Sequence, residues 1–269
     1  MIYSQRYLMD QGVAVTWDNP DIRLERGGAI VPSNALQPGT GYDVVARIWN
    51  ASIDAPAVNL PVTFSYLVFG IGTVSLPIGR TSVDLPVRGA PGCPVDARMR
   101  WTTPTTPGHY CLQVELKWAD DANPANNLGQ ENIDVRPLNS PHASFTFPVR
   151  NDGLATRGLR LEADAYRVPP RPRCDPEDKA PSPRLTREER ARRRRETLAR
   201  HGRATFPVPD DWRVEISPTE LSLEPGEERE ASVDITAPDG FTGRQAFNVN
   251  AFDGSTLVGG VTLEVEASR

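Results

Sequence analysis

Nine arginines fall between residues 184 and 203: Arg184, Arg187, Arg190, Arg192, Arg193, Arg194, Arg195, Arg200 and Arg203. Planar, permanently charged guanidinium groups at this density suit the binding of an anionic surface. With three interspersed glutamates the stretch carries a local +6, which leaves −11 for the rest of a chain whose net charge is −5. Phosphates exchange counterions with such a run. The acidic remainder, however, repels the same polyanion, and no aromatic residues interleave with the arginines, which argues against nucleic acid. The favoured partner is another protein with an acidic surface. Its candidate contacts are Arg187, Arg190, Arg192, Arg193, Arg194, Arg195 and Arg200. That partner stands behind a leading reading in which the stretch is a solvated insertion resting on the chain's own acidic surface, and ahead of nucleic acid or an anionic membrane.

Other chemistry-bearing residues are sparse. Cys93, in a Gly-Ala-Pro-Gly-Cys-Pro loop, and Cys111, on the outward face of an alternating strand, are a candidate disulfide if the loop folds over that face in an oxidising compartment. Cys174 is read as a free thiol. Cys93, His109 and Cys111 together give three metal ligands at most, without a tight C-x-x-C pair. The histidines, His109, His142 and His201, accompany no nucleophile in a triad setting. His201 sits where a helix C-terminus favours a cation. Asp120, Asp121, Asn123, Asn126 and Asn127 supply oxygens without the regular spacing of a calcium loop, and Asx turns account for them. Asn50-Ala-Ser52 has the form of a glycosylation sequon. The tryptophans (Trp17, Trp49, Trp101, Trp118 and Trp212) make a sugar platform only if exposed, and several lie within strand patterns that call for packing. No Gly-rich phosphate cradle is present. The expectation is a protein without catalytic residues, cofactor or metal, hence not an enzyme.

The elements around these residues read as strands. From Tyr110 to Trp118 apolar residues alternate with polar ones, a period of two. A polar loop from Asp120 to Asn127 and a second alternating run, with Ile133 and Val135, complete a hairpin. Upstream, short extended runs at Val13–Trp17 and Ile22–Leu24 suggest an edge strand. Tyr42–Asn50, Val58–Phe69 and Ala97–Trp101 are strands, and 70–91 holds a shorter, looser one. The 26 prolines of this 269-residue chain, about twice ordinary usage, punctuate these runs. Roughly seven short strands at such spacing imply an immunoglobulin-like sandwich. A linker spans 138–142. Beyond it, Ala143–Asn151, Leu159–Tyr166, Trp212–Ile216, Leu221–Leu223, Ala231–Thr236, Arg244–Phe252 and Leu257–Val265 outline a second sandwich.

The fold expectation is therefore all-β: two tandem immunoglobulin-like β-sandwiches, residues 1–137 and 143–269, the second interrupted by an insertion at 167–211. That insertion is Pro-rich, then Arg-rich. Thr186 and Glu189 form a capping-box pattern that predicts a helix from about Arg187 to His201, with too few apolar positions to bury a face. No run approaches the length of a membrane span. Residues 1–28 lack the apolar core of a Sec-type signal, so the expected location is cytoplasmic, or outside by a non-Sec route.

Two resemblances follow from these residues. The run from Tyr42 to Val62 (YDVVARIWNASIDAPAVNLPV), followed by Asp121-Ala-Asn-Pro-Ala-Asn-Asn127 and Asn132-Ile-Asp-Val135, resembles CARDB-type domains of bacterial adhesion-related proteins over about 18–137. The order Phe147-x-Val-x-Asn, Trp212-x-Val, Pro218-x-x-Leu-x-Leu-x-Pro-Gly-Glu and Phe247-x-Val-x-Ala resembles NEW3-type immunoglobulin-like modules over 143–266, apart from the insertion. Both imply accessory bacterial modules that act as spacer or contact surface. The function expected is structural or protein–protein interaction, with the Arg-rich helix as a docking arm. The alternative is cell adhesion or carbohydrate binding by a surface or secreted module. Tyr110 before Cys111 also resembles the tyrosine corner of immunoglobulin domains, but the adjacency of the two residues departs from that pattern and implies no inter-sheet disulfide at Cys111.

Overall fold

A computed structural model describes residues 1–68, 75–135, 142–168 and 206–267, together with 186, 188, 189, 191, 192, 195 and 196. Eight strands build the first sandwich: β1 (Ile22–Arg26), β2 (Ala29–Val31), β3 (Gly41–Ile48), β4 (Ala57–Val68), β5 (Ser75–Leu85), β6 (Val95–Thr102), β7 (Gly108–Leu116) and β8 (Leu128–Val135). One sheet has the order β2-β1-β3-β6 and the other β5-β4-β7-β8, all pairs antiparallel. In immunoglobulin terms β1, β3 and β6 stand at A, B and E, while β5, β4, β7 and β8 stand at C′, C, F and G. The reason is visible in the alternation. Tyr42, Val44, Ala46 and Ile48 of β3 face Leu60, Val62 and Phe64 of β4 and Tyr110, Leu112, Val114 and Leu116 of β7 in one core. The Tyr110 hydroxyl donates to the carbonyl of Thr106 at 2.7 Å. This is the tie that pins the E–F corner in immunoglobulin-type sandwiches.

The second sandwich comprises β9 (His142–Arg150), β10 (Arg157–Asp164), β11 (Arg213–Ser217), β12 (Glu220–Leu223), β13 (Glu228–Thr236), β14 (Gly243–Asp253) and β15 (Thr256–Ala267). Its sheets are β11-β13-β9 and β12-β10-β14-β15. Phe145, Phe147 and Val149 meet Leu159, Leu161, Phe247 and Leu263 in a core separate from the first. The chain is thus all-β in two immunoglobulin-like sandwiches.

The insertion leaves after β10 and returns before β11. Its two ends are clasped: Ala165 N–H donates to the Phe206 carbonyl at 3.0 Å, and the Tyr166 and Phe206 rings meet edge-on with centroids 4.7 Å apart. Within it, Thr186 N–H donates to Glu189 Oε2 at 2.8 Å and Glu189 N–H donates to Thr186 Oγ1 at 3.1 Å. This is the reciprocal capping box, with helical backbone at 188, 189, 191, 192, 195 and 196.

Three features differ from the sequence reading. Residues 13–17 are not a strand; they follow a short helix, α1 (Gln5–Asp10), whose N-cap Ser4 accepts from Tyr7 N–H through its side chain. A six-residue helix is too brief to show an apolar period. The strand expected to be short within 70–91 is β5, eleven residues long and paired along β4 through two register shifts. The face of β7 opposite the core is not solvated either: His109 and Cys111 are both buried.

Candidate functional site

What covers that face is a seam between the sandwiches, threaded by residues 12–19. Trp17 and Val15 pack with Phe252 of β14 and Leu257 of β15 in a small third cluster, with Leu8 and Met9 of α1 against it. The indole fits because position 260 is glycine. A Cβ there would lie 2.5 Å from Trp17 Nε1 and 2.7 Å from the Val249 carbonyl oxygen. On the other side the strap bonds along the edge of β8. Asn132 N–H donates to Trp17 O at 2.8 Å, while Asn19 Nδ2 and Gln5 Nε2 both donate to Gln130 O. The His109 ring stacks obliquely on Phe145 of β9, centroids 5.4 Å apart.

A polar chain runs from this strap into the second sandwich. Trp17 N–H donates to Thr262 Oγ1 at 2.7 Å, and the Thr262 hydroxyl donates to Asn248 Oδ1 at 2.7 Å. Asn248 Nδ2 and Asn250 Nδ2 donate to the two oxygens of buried Asp164, which also accepts from Tyr166 N–H at 3.0 Å. The seam is therefore tied to the root of the insertion by side-chain hydrogen bonds. Thr262→Val keeps the shape and deletes the hydroxyl, leaving Trp17 N–H and Asn248 Oδ1 buried without it. We expect a loss of about 1–3 kcal/mol, read from chemical denaturation, whereas Thr262→Ser should retain most of the stability.

Carboxylates gather at the same seam. Glu131, on β8, accepts from Asn19 N–H and from the Ser33 hydroxyl, yet burial, and next the Asp18 charge, push its carboxyl well above the ordinary range. Burial also raises Asp18, opposed by Arg167 and Arg244, and raises Glu264, with Asp18 adding to the rise. Arg244 reaches Glu264 at 3.8 Å, Glu266 at 3.4 Å and Asn34 Oδ1 at 3.3 Å. A cavity of about 30 Å³ lies between Asn34, Asn132, Thr262 and Glu264. Among the described residues no group of three or more His, Cys, Asp or Glu is placed to hold a metal ion.

Cys93 and Cys111 are buried free thiols. Cys93 precedes β6 of one sheet, whereas Cys111 lies on the face of β7 turned away from that sheet, so the fold does not bring the loop over Cys111. Burial pushes the Cys111 thiol up to about 12, which makes it a poor nucleophile. Of the candidate docking arginines, Arg192 and Arg195 are exposed on helical backbone, and Arg192 pairs with Glu196 at 3.8 Å, one turn on. Arg187, Arg190, Arg193, Arg194 and Arg200 lie outside the described residues. Trp101 is buried in the first core and Trp212 packs on Phe241 and Phe247. Trp49 and Trp118 instead line a groove of about 390 Å³ at one end of the first sandwich, beside Asp120, Asp121, Asn126 and Asn127. Among the described residues no helix is long and apolar enough to cross a membrane.

No family model matches the chain, and no curated protein matches it. Among solved structures it is similar to the adhesin InvE of Yersinia pseudotuberculosis, at 14% identity over 88% of this chain and 57% of that one, with a TM-score of 0.24. It is also similar to trypsin-activated α-2-macroglobulin from Escherichia coli, at 8% identity over 91% of this chain and 17% of that one, with a TM-score of 0.28. The chain spans less than two thirds of either. The fold assignment rests on strand order, register and the two cores.

Proposed function

We propose that this is a non-catalytic structural and protein–protein interaction protein, in which a fused pair of immunoglobulin-like modules carries the Arg-rich insertion as a docking arm for an acidic protein surface. One observation carries the reading. The clasp of Ala165 and Tyr166 with Phe206 holds the two ends of the insertion together at the second sandwich, and Arg192 and Arg195, the described arginines of the arm, are exposed and available for contact. Exposed arginines attract an acidic face over a distance set by the Debye length, about 8–10 Å near physiological salt.

The test is capture from lysate by the intact chain and by a chain with Arg192 to Arg195 changed to alanine, with bound proteins identified. Loss of an acidic partner on substitution, together with its elution from the intact chain at about 0.3–0.5 M salt, is the expected result. An unchanged set of partners would overturn the docking arm.

A further inference from the structure

We propose that the seam between the two sandwiches is a pH-gated hinge, closed while Glu131 is neutral and opening locally at the strap when Glu131 ionises. The inference stands apart from the docking-arm reading, since it concerns the chain's own joint.

Geometry carries it. Glu131, on β8, is 3% exposed. Its carboxyl takes hydrogen bonds from neutral groups, the Asn19 N–H of the strap and the Ser33 hydroxyl of the β2–β3 connection. Among the described residues no lysine or arginine pairs with it. The carboxyls that act on it share its sign: Asp18 on the strap and Glu264 on β15. Cys111 of β7 is a neighbour as well, and His109 lines the adjoining cavity. The cations at the seam, Arg244 of β14 and Arg167 at the root of the insertion, act on Asp18 and Glu264, with Glu266 opposing them at Glu264.

A carboxylate is costly to keep charged in such a place: it holds a proton or its surroundings give way. Burial accordingly pushes the Glu131 carboxyl well above its ordinary value of 4.5. A group raised in the closed state favours closure below its ordinary value and releases it as pH rises through the raised one.

What gives way is the strap rather than a core. Val15 and Trp17 pack with Phe252 and Leu257 in a cluster separate from both sandwich cores, and local opening starts in units that bury little. The seam closes through Asn132 N–H to Trp17 O at 2.8 Å, Trp17 N–H to Thr262 Oγ1 at 2.7 Å and Asn19 N–H to Glu131. Asn19 follows Asp18 directly, so ionising Glu131 sets two carboxylates against each other where the strap meets β8. Opening admits water to both and uncovers the His109 and Cys111 face of β7, while each sandwich keeps its own core.

The experiment is amide hydrogen exchange of the full chain between pH 5 and 8, with each rate divided by the intrinsic rate at that pH. The reporters are the N–H groups of Trp17, Asn19 and Asn132, which donate across the seam. Val44 of β3 and Val233 of β13, fully buried in the two cores, are the references. Reporter protection should fall about tenfold or more from pH 5 to 8, while the references hold. In Glu131→Gln the reporters should keep their protection at pH 8, and in Glu264→Gln they should lose less than in the wild type. Constant reporter protection across the range would overturn the hinge. So would a parallel fall in reporters and references, which is global unfolding, or an undiminished fall in Glu131→Gln. The capture experiment with Arg192 to Arg195 changed to alanine does not touch the seam, so the docking arm and the hinge fail separately.

Discussion

Trp17→Ala is expected to destabilise the protein by about 3–5 kcal/mol and to separate one unfolding transition into two. Trp17 is 5% exposed and sits among Val15, Phe252 and Leu257, outside both sandwich cores. Its removal takes nothing from either core, so the lost burial falls on the junction alone. The neighbouring backbone bonds, Asn132 N–H to Trp17 O and Trp17 N–H to Thr262, hold the strap between the two modules. Without the indole anchoring them they become solvent-accessible. Each module retains its own core and should melt independently, which calorimetry reads as two heat-absorption peaks. The Trp17 indole N–H has no hydrogen-bond partner, so the effect is one of shape and burial. Trp17→Phe should accordingly cost less than the alanine variant. A single transition with an unchanged midpoint in Trp17→Ala would show that the strap does not join the modules. Gly260→Ala attacks the same contact from the other side, since its Cβ meets both the indole and the Val249 backbone.

The strap marks where sequence reasoning stops. Strands were legible because each buries one face in a core of its own module, and alternation of period two records that directly: Tyr42 to Ile48 and Tyr110 to Leu116 are examples. The capping box of Thr186 and Glu189 was legible because both partners lie within one turn. Val13 to Trp17 reads as a short extended run too, but its partners Phe252, Leu257 and Thr262 lie more than two hundred residues away, and no local period encodes a tertiary contact. The same holds for β7, where His109 and Cys111 read as a solvent face. They are buried because a second sandwich and a strap arrive there. Asp18, Glu131 and Glu264 are ordinary surface carboxylates in the sequence and become neighbours only in the fold. The groove had a partial signal in Asp120 to Asn127, read as turn-formers. What was missing was Trp49, brought opposite from another loop.

Those carboxylates give the last prediction. The protein should become more stable as pH is lowered from 8 toward 5, and Glu131→Gln should weaken that dependence. Glu131 faces Asp18 on the strap, Glu264 on β15 and Cys111 on β7, with Arg244 and Arg167 acting on Asp18 and Glu264 and with His109 lining the adjoining cavity. Burial raises all three carboxyls above their ordinary values of 4.5 for glutamate and 3.8 for aspartate. Between those values and the raised ones the folded state holds more protons than the unfolded state. Stability from these groups is thus fully present below the ordinary values and is lost as pH rises through the folded ones, by up to about 1.4 kcal/mol per pH unit for each proton. Glu25, held down by Arg98 and Arg23, and Asp96, held down by Arg23 and Arg47, work in the opposite sense. Their stabilisation is lost only as pH falls below the ordinary carboxylate range, so the stability maximum should lie on the acid side of neutrality. Glutamine at 131 keeps a carbonyl oxygen for Asn19 N–H and for the Ser33 hydroxyl while removing the buried charge. That variant should exceed the wild type in denaturant midpoint at pH 8 and converge on it near pH 5. Parallel stability curves for the two proteins between pH 5 and 8 would show that Glu131 does not take up its proton in this window.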